Sequence, residues 1–213
     1  MKIMDLTAPL SLNMYEKQPP AKIEEEVVPM LIEEKDYSAN IYNLEMGSMA
    51  GTYIDFPGHI RETFEGTDAQ NCPVEKLYRV NASVIHLEHS DGHGAVSAYE
   101  LESAFGGNVK TPALVINALG KIRFDGIKFR SVYLDRSAVE WIINSGIHII
   151  VSDIYESQKV HGVFRDFFSN GIFAVCCPIN MHLINASVCK LTVVPIPFPG
   201  ATQVPCRVIA EWD

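Results

Sequence analysis

The sequence predicts a mixed α/β fold, because short β-branched runs occur beside a clear helix–strand unit. Two apolar runs, residues 81–87 and 112–118, are bounded by turn-forming residues, which is typical of strands buried on both faces. Residues 134–153 predict a helix that leads into another buried strand. Since helices and strands alternate only in the middle third of the chain, a mixed sheet is favoured over a regular doubly wound one.

The N-terminal part of the chain predicts strands separated by turns. Residues 2–7 alternate between apolar and polar side chains, and a loop is expected at residues 18–20. The acidic stretch Glu24–Glu26 is interpreted as a solvated face. Residues 41–54 predict one strand, which ends in a turn at residues 55–58, where proline and glycine follow each other.

The helix of the helix–strand unit has start and stop signals at both ends. Asp135 is a suitable N-cap, and Ala138, Trp141 and Ile142 fall on one helical face. Gly146 is expected to end the helix before the next strand.

Five further elements complete the predicted fold. Helices are expected over residues 97–104 and 158–169, and strands over residues 171–177, 188–195 and 206–210. No linker or internal repeat divides the chain, so we expect one domain over residues 1–213.

Composition and charge exclude several classes of protein. The net charge is −9 without any cluster of lysine and arginine, which argues against nucleic acid as a partner. The longest apolar runs fall far below the roughly 20 residues of a membrane helix, and the N-terminus does not match a signal peptide. The five cysteines are odd in number and lack CxxC spacing, so we expect reduced thiols and a cytoplasmic protein.

The most informative stretch of the chain is Met49-Ala50-Gly51-Thr52-Tyr53-Ile54-Asp55-Phe56-Pro57-Gly58-His59. It resembles the HxGTHxDxPxH signature of the cyclase family of metal-dependent hydrolases, the family of kynurenine formamidase and isatin hydrolase. Residues 5–10, 134–157 and 194–210 resemble other parts of that family in the same order. The resemblance implies a swivelling β/β/α fold and a homodimer or homotetramer.

Within this signature, two histidines and the aspartate hold a metal, usually zinc or manganese, and the last histidine handles protons. Here the corresponding positions read Met49, Tyr53, Asp55 and His59. A thioether and a phenol are poor ligands for these ions. Only the aspartate and the last histidine of the pattern therefore remain.

The resemblance also locates the two ligands that complete the family's metal site, a histidine and a glutamate. The matching register places Phe164 at the histidine position and Cys176 at the glutamate position. A shift of one helical turn would bring His161 to the pocket, but the spacing to Cys176 then no longer fits. We therefore expect no metal and no other cofactor.

The remaining polar residues point to acid–base chemistry. Asp55 and His59 are four residues apart and could form a carboxylate–imidazole pair, with His59 as the general acid or base. Tyr53 could donate a hydrogen bond to a substrate carbonyl where the metal would otherwise polarise it. The alternative is that Asp55 and His59 only stabilise the turn after the strand.

Cys176 is a second candidate, because the resemblance places it in the same pocket. His59 could activate its thiol as a nucleophile, while a small apolar filler of the emptied metal site is the plainer interpretation. Adjacent Cys177 is expected to point the opposite way along the strand.

The other histidines are weaker candidates. His86, His89 and His93 lie among acidic residues and glycines, which resembles a metal site in composition and also fits a solvated hairpin tip. His148 is interpreted as a hydrogen-bonded core residue of an apolar strand. His182 could approach the pocket from the loop after the late strand.

The resemblance implies an arylformamidase-like hydrolase that acts on a C–N or lactone bond of a small cyclic or aryl carbonyl compound. We expect metal-independent chemistry by Asp55 and His59, in a pocket lined by Met49, Tyr53, Phe56, Phe164 and Cys176. A metal-free cyclase or dehydratase and a non-catalytic protein that binds a small ligand remain as alternatives.

Overall fold

The computed structural model describes residues 1–10, 21–32, 35–121, 131–154, 160 and 162–213. Its strands are β1 (Lys2–Asp5), β2 (Lys22–Ile32), β3 (Lys35–Glu45), β4 (Tyr53–Asp55), β5 (Val80–His86), β6 (His93–Val96), β7 (Ala113–Asn117), β8 (Ser131–Leu134), β9 (Ile149–Ser152), β10 (Phe173–Cys176), β11 (Val188–Pro195) and β12 (Gln203–Trp212). Its α-helices are α1 (Ala98–Phe105), α2 (Arg136–Asn144) and α3 (Val163–Ser169). Single turns of 3-10 helix lie at Pro57–His59, Arg61–Thr63, Val74–Lys76 and Met181–Leu183.

The main sheet closes on itself. Its strand order is β1-β12-β11-β5-β7-β9-β10-β4, and β4 also pairs with β12. Strands β5, β7, β9 and β10 run parallel to one another, whereas every pairing in this sheet that involves β1, β4, β11 or β12 is antiparallel. The predicted mixed sheet is therefore confirmed, and it forms a barrel.

Alternation along the barrel strands creates two separate cores. Ala113 and Val115 of β7 belong to the core inside the barrel, while Leu114 and Ile116 belong to the core between the barrel and the helices. This period of two is the geometry of a strand that is buried on both faces. The strands predicted over residues 81–87 and 112–118 owe their continuous apolar character to these two cores.

The α-helices follow the end signals read from the sequence. Asp135 caps α2 by accepting a hydrogen bond from the Ala138 backbone nitrogen at 3.0 Å, and Gly146 follows the helix with a φ of +72°. Ser97 caps α1 by accepting from the Glu100 backbone nitrogen at 3.2 Å. Both helices pack on the outer face of the barrel, through apolar residues such as Leu101 and Ile142.

The prediction of one strand over residues 41–54 is wrong. β2 and β3 form an antiparallel ribbon that ends at Glu45, and β4 begins only at Tyr53. Between them, Gly51 has a φ of +62°, and a Cβ at this position would lie 2.6 Å from the Ala8 carbonyl oxygen. The turn therefore requires glycine, and the small residues around it resemble strand residues only in composition.

The remaining elements agree with the predictions in type and differ in extent. β11 has the predicted bounds of 188–195, and its pairing with β12 forms the expected C-terminal hairpin. The helix predicted from residue 158 begins at Val163, and most of the preceding stretch lies outside the described residues. The loop predicted at 18–20 also lies outside them. Among the residues that the structure describes, no helix has the length and apolar character to span a bilayer.

A buried threonine joins three segments around β4. The Thr52 hydroxyl donates to the Cys177 carbonyl oxygen and accepts from the Ala8 backbone nitrogen, both at 2.8 Å. Thr52 is buried, so these backbone groups have no access to water at this point. The side chain thus links the segment that follows β1, the start of β4 and the residue that follows β10.

We expect Thr52→Val to lower the free energy of unfolding by about 2 kcal/mol, because it keeps the side-chain shape but leaves two buried backbone groups unsatisfied. Urea denaturation measures this change. Thr67→Val is the control, since the Thr67 hydroxyl bonds to Glu65 at the surface and its loss should be nearly neutral. Equal effects of the two substitutions would contradict the role of Thr52.

Candidate active site

Strand β4 lies at the centre of the candidate site because it is held on both edges. Asp55 is opposite Gln203 of β12 on one edge and opposite Ala174 of β10 on the other. Tyr53 is opposite Cys176. The pairing of β4 thus brings residues from the middle and the end of the chain to one point.

Alternation along β4 separates the site from the core. Tyr53 and Asp55 line a cavity, whereas Ile54 and Phe56 pack inside the barrel. Phe56 is fully buried, and its ring lies edge-on to Phe173 with the ring centroids 5.2 Å apart. The expectation that Phe56 lines the pocket is therefore wrong. Side chains alternate between the two faces of a strand, and Phe56 lies on the core face together with Ile54.

The Asp55 carboxylate is the centre of a hydrogen-bond network. The Gln203 side-chain amide donates to Asp55 Oδ1 at 2.7 Å, and the Cys176 thiol lies 3.7 Å from Oδ2. The Ser48 hydroxyl in turn donates to the Gln203 carbonyl oxygen at 2.6 Å, which fixes the amide with its nitrogen toward Asp55. Asp55 is thereby held in one orientation.

Burial makes Asp55 an unusual acid. Removal from water raises its pKa from 3.8 to about 6, although the charge of His59 and the hydrogen bonds from Gln203 and Cys176 act in the opposite direction. Burial disfavours the charged form of a carboxyl group, and here this effect exceeds the others. Asp55 therefore exchanges its proton close to neutral pH.

His59 lies at the open side of the site. It ends the single turn Pro57–His59, is exposed to solvent, and its ring lies edge-on to Phe168 at 6.3 Å between centroids. The contacts of the described residues include no direct hydrogen bond or ion pair between His59 and Asp55. Instead, Gln203 Nε2 lies 3.5 Å from His59 Nε2 and also bonds to Asp55, so the amide stands between the two groups.

The cavity has a volume of about 300 Å³, which suits a small molecule. Apolar side chains from four segments form much of its wall, and the polar groups converge at Asp55. Four of the five residues predicted to bind the substrate contribute to the lining, and Phe56 is the exception. The lining residues are Met49, Tyr53, Asp55, His59, Ile60, Ile154, Gly162, Phe164, Arg165, Cys176, Cys177 and Gln203.

The two adjacent cysteines both reach the cavity. Burial raises the pKa of the Cys176 thiol well above its ordinary value, and the neighbouring Asp55 carboxylate raises it further, while a hydrogen bond from Tyr53 has the opposite effect. Its hydrogen bond goes to Asp55 and not to His59. Cys177 also lines the cavity, contrary to the expected alternation, because its φ of +59° ends the regular strand geometry.

The chemistry of the residues at the family's ligand positions does not fit a divalent metal site. Asp55 is the only carboxylate among them, Phe164 offers carbon, and Cys176 favours its protonated form. Within the described ranges, no group of three or more His, Cys, Asp or Glu side chains is placed to hold an ion. His161, the histidine one helical turn before Phe164, lies outside the described residues.

The other histidines lie away from the cavity. β6 pairs with β8 and not with β5, so the predicted hairpin tip is a connection between two sheets. There, His89 pairs with Glu100 at 2.7 Å, while His86 bonds to the Ile184 carbonyl oxygen. His148 is exposed and precedes β9, so its interpretation as a core residue is wrong. His182 lies on the turn Met181–Leu183 and is not part of the lining.

Three side chains of the candidate site escaped sequence reasoning. Gln203 and Ser48 hold Asp55, and Arg165 lies in the cavity wall. Gln203 is 148 residues from Asp55 in the chain, and only the pairing of β4 with β12 brings them together. A pairing of strands this distant leaves no local pattern in the sequence.

The raised pKa of Asp55 predicts a pH-dependent loss of stability. Between pH 4 and 6 the folded protein binds more protons at Asp55 than the unfolded chain, so the free energy of unfolding falls as the pH rises. In Asp55→Asn this dependence is absent, so its stability relative to the wild type should increase by about 2 kcal/mol between pH 4 and pH 7. Urea denaturation at several pH values measures the difference.

Asp68→Asn is the matched control for this series. A backbone hydrogen bond from Asn71 lowers the pKa of Asp68, so the relative stability of this variant should not rise with pH. Asp153, which is buried and also has a pKa raised to about 6, is present in every protein compared and cancels in the differences. Parallel curves for the wild type and Asp55→Asn would contradict the burial effect at Asp55.

Solved structures share the fold over nearly the whole chain. A "predicted metal-dependent hydrolase" from Bacillus stearothermophilus superposes with a TM-score of 0.74 and 18% identity, over 98% of this chain and 97% of that one. Isatin hydrolase A from Labrenzia aggregata, bound to benzyl benzoate, gives 0.75 and 16%, over 98% and 93%. Isatin hydrolase A from Ralstonia solanacearum gives 0.73 and 16%, over 98% and 91%. These likenesses confirm the predicted fold.

Comparison with curated proteins finds no significant match. The model of the Cyclase family, which is described as "Putative cyclase", matches residues 4–158. The match covers more than half of the 213 residues and includes the stretch around Asp55 and His59. The chain therefore belongs to the Cyclase family.

Proposed function

We propose that the protein is an arylformamidase-like hydrolase, which cleaves a C–N or lactone bond of a small cyclic or aryl carbonyl compound without a bound metal. Asp55 and His59 carry the acid–base chemistry. Membership of the Cyclase family and the fold shared with isatin hydrolases support the reaction class. The substrate then enters the cavity beside β4.

The state of Asp55 is the observation that carries this proposal. A carboxyl group with a pKa of about 6 exchanges its proton near neutral pH at lower cost than an ordinary aspartate. Gln203 holds it in one orientation, and the cavity gives a ligand access to it. These properties match the requirements of a general acid or base.

His59 complements Asp55 from the open side of the cavity. Its exposure allows proton exchange with bulk water, which the buried Asp55 lacks. Gln203 lies between the two groups and approaches both. We assign His59 the proton transfer to or from the attacking water and Asp55 the proton transfer at the leaving group.

Tyr53 and the apolar wall have supporting roles in this proposal. The Tyr53 hydroxyl lies close to the Cys176 thiol and can donate to a substrate carbonyl oxygen at the floor of the cavity. Met49 and Phe164 offer apolar contacts that suit an aryl ring. A cavity of about 300 Å³ limits the substrate to a small molecule.

A non-catalytic protein that binds a small ligand is the second candidate. The hydrogen bonds around Asp55 favour this candidate, because each group already has a partner without a substrate. The groups are those of Ser48, Gln203, Asp55 and Cys176. The cavity is the same in both proposals. A metal-free cyclase or dehydratase would use Asp55 and His59 for the same proton transfers as the hydrolase. Its reaction products would distinguish it from the hydrolase.

Assembly and location form the last part of the proposal. The ribbon of β2 and β3 exposes Ile23 and Leu44, which are directly paired and are 65% and 60% exposed. Exposed apolar pairs of this kind support a homodimer or homotetramer. The composition of the sequence supports a cytoplasmic protein.

We expect His59→Ala to lower kcat/KM by a factor of about 10² to 10⁴, the usual contribution of a general acid or base. The assay is a screen of N-formyl aryl amines, lactones and cyclic imides with the protein purified without chelator. His148→Ala is the matched control, because His148 is exposed and lies outside the cavity lining. Its activity should equal that of the wild type.

Two outcomes decide between the candidates. Turnover that His59→Ala abolishes supports the hydrolase, while ligand binding without turnover supports the non-catalytic candidate. Metal analysis of the same preparation tests the metal-independent mechanism. Near-stoichiometric zinc or manganese, together with activity lost to a chelator, would refute it.

Cys176→Ala should leave kcat within about threefold of the wild type. The pKa of the thiol is raised well above its ordinary value, so little thiolate is present to act as a nucleophile. The measurement is the turnover of the best substrate from the screen. Turnover by the wild type should also resist treatment with iodoacetamide. A loss comparable to that of His59→Ala would instead establish Cys176 as a nucleophile.

A further inference from the structure

The wall of the cavity contains an arginine for which the described residues provide no partner. Arg165 of α3 follows Phe164, and among the described lining residues it is the one with a fixed positive charge. Its guanidinium has no hydrogen bond or ion pair within the described part of the chain. By contrast, Arg136 pairs with Asp166, and Arg79 pairs with Glu211. The five donors of Arg165 are therefore available to a ligand.

The part of the cavity around Asp55 repels anions. Asp55 is only 4% exposed, and its carboxylate already accepts from Gln203. A second carboxylate beside it would meet a like charge in a poorly solvated place. A neutral group such as a carbonyl suits this part of the cavity, because it brings no like charge to Asp55.

Apolar side chains also line the cavity. Met49, Phe164 and Ile60 line the cavity, and their surfaces suit an aryl ring or a short acyl chain. A ligand of this cavity must therefore present apolar surface as well. The charge distribution then fixes its direction, with any anionic group toward Arg165.

We propose that the cavity takes an aryl or acyl compound that carries a carboxylate, which binds the Arg165 guanidinium while the neutral carbonyl end of the compound lies at Asp55 and Gln203. The inference deepens the proposed function, since it names the substrate class of the same cavity. Arg165 determines specificity in this arrangement. A guanidinium binds carboxylate in two parallel hydrogen bonds, which adds geometric selection to the charge.

Binding of a matched pair of probes tests the proposal without any need for turnover. The probes are 4-acetamidobenzoate and 4-acetamidobenzamide, which share the ring and the carbonyl group and differ in charge. Isothermal titration at pH 7.5 and low salt compares the wild type, Arg165→Gln, Arg165→Lys and Lys110→Gln. Lys110 is exposed and precedes β7, so it lies at the opposite edge of the parallel strands from Cys176.

We expect the wild type to bind the benzoate about tenfold more tightly than the benzamide, as for one hydrogen-bonded ion pair. Arg165→Gln should lose this preference by weakening only the benzoate, Arg165→Lys should keep part of it, and Lys110→Gln should keep all of it. Because Arg165 is exposed, the preference should also fall at 0.5 M salt, as screening predicts for a pair of exposed charges.

Equal affinity of the wild type for the two probes would overturn the proposal, as would no binding of either at millimolar concentration. The same holds if Arg165→Gln weakens both probes alike, or if Lys110→Gln has the same effect as Arg165→Gln. The outcome is independent of catalysis. A protein that prefers the benzoate but hydrolyses nothing would retain this inference and reject the hydrolase.

Discussion

The antiparallel pairing of β4 with both β10 and β12 is the constraint on which the barrel and the site depend. β12 pairs with β11 through residues 206–211 and with β4 through residues 203–205, so the barrel closes at β4. A register slip of one residue would turn Asp55 into the barrel interior, where its charge would have neither water nor a partner. The contacts that stabilise the core thus also fix the position of the carboxylate.

Local signals in the sequence were sufficient for most elements of the fold. The caps of α2 and the bounds of β11 depend on neighbouring residues, and the sequence predicted both. The turn that separates β3 from β4 was missed because it depends on a contact between Gly51 and the distant Ala8. His148 was misplaced for a related reason, since the apolar run contains the histidine but the strand begins at the residue after it.

The residues of the candidate site also fall into those that local sequence predicts and those that depend on strand pairing. Asp55, His59 and Met49 are close in sequence and belong to one recognisable motif, and the family resemblance added Phe164 and Cys176. Gln203 could not be predicted, because its place depends on which strand pairs with β4. Phe56 was assigned to the pocket by its proximity in sequence, whereas the alternation of the strand places it in the core. Whether a strand residue faces the pocket or the core depends on the alternation of side chains, and this can be assigned only when the register of the strand is known.

Having carbon and sulfur where the resemblance places the family's metal ligands changes the site in two ways at once. It removes donors, and it surrounds the remaining carboxylate with groups that do not solvate charge, which raises the pKa values of Asp55 and Cys176 together. The first effect removes the usual means of activating water, while the second creates an acid–base group that titrates near neutral pH. The desolvation that destabilises the folded protein at Asp55 is therefore the same property that suits this residue to proton transfer.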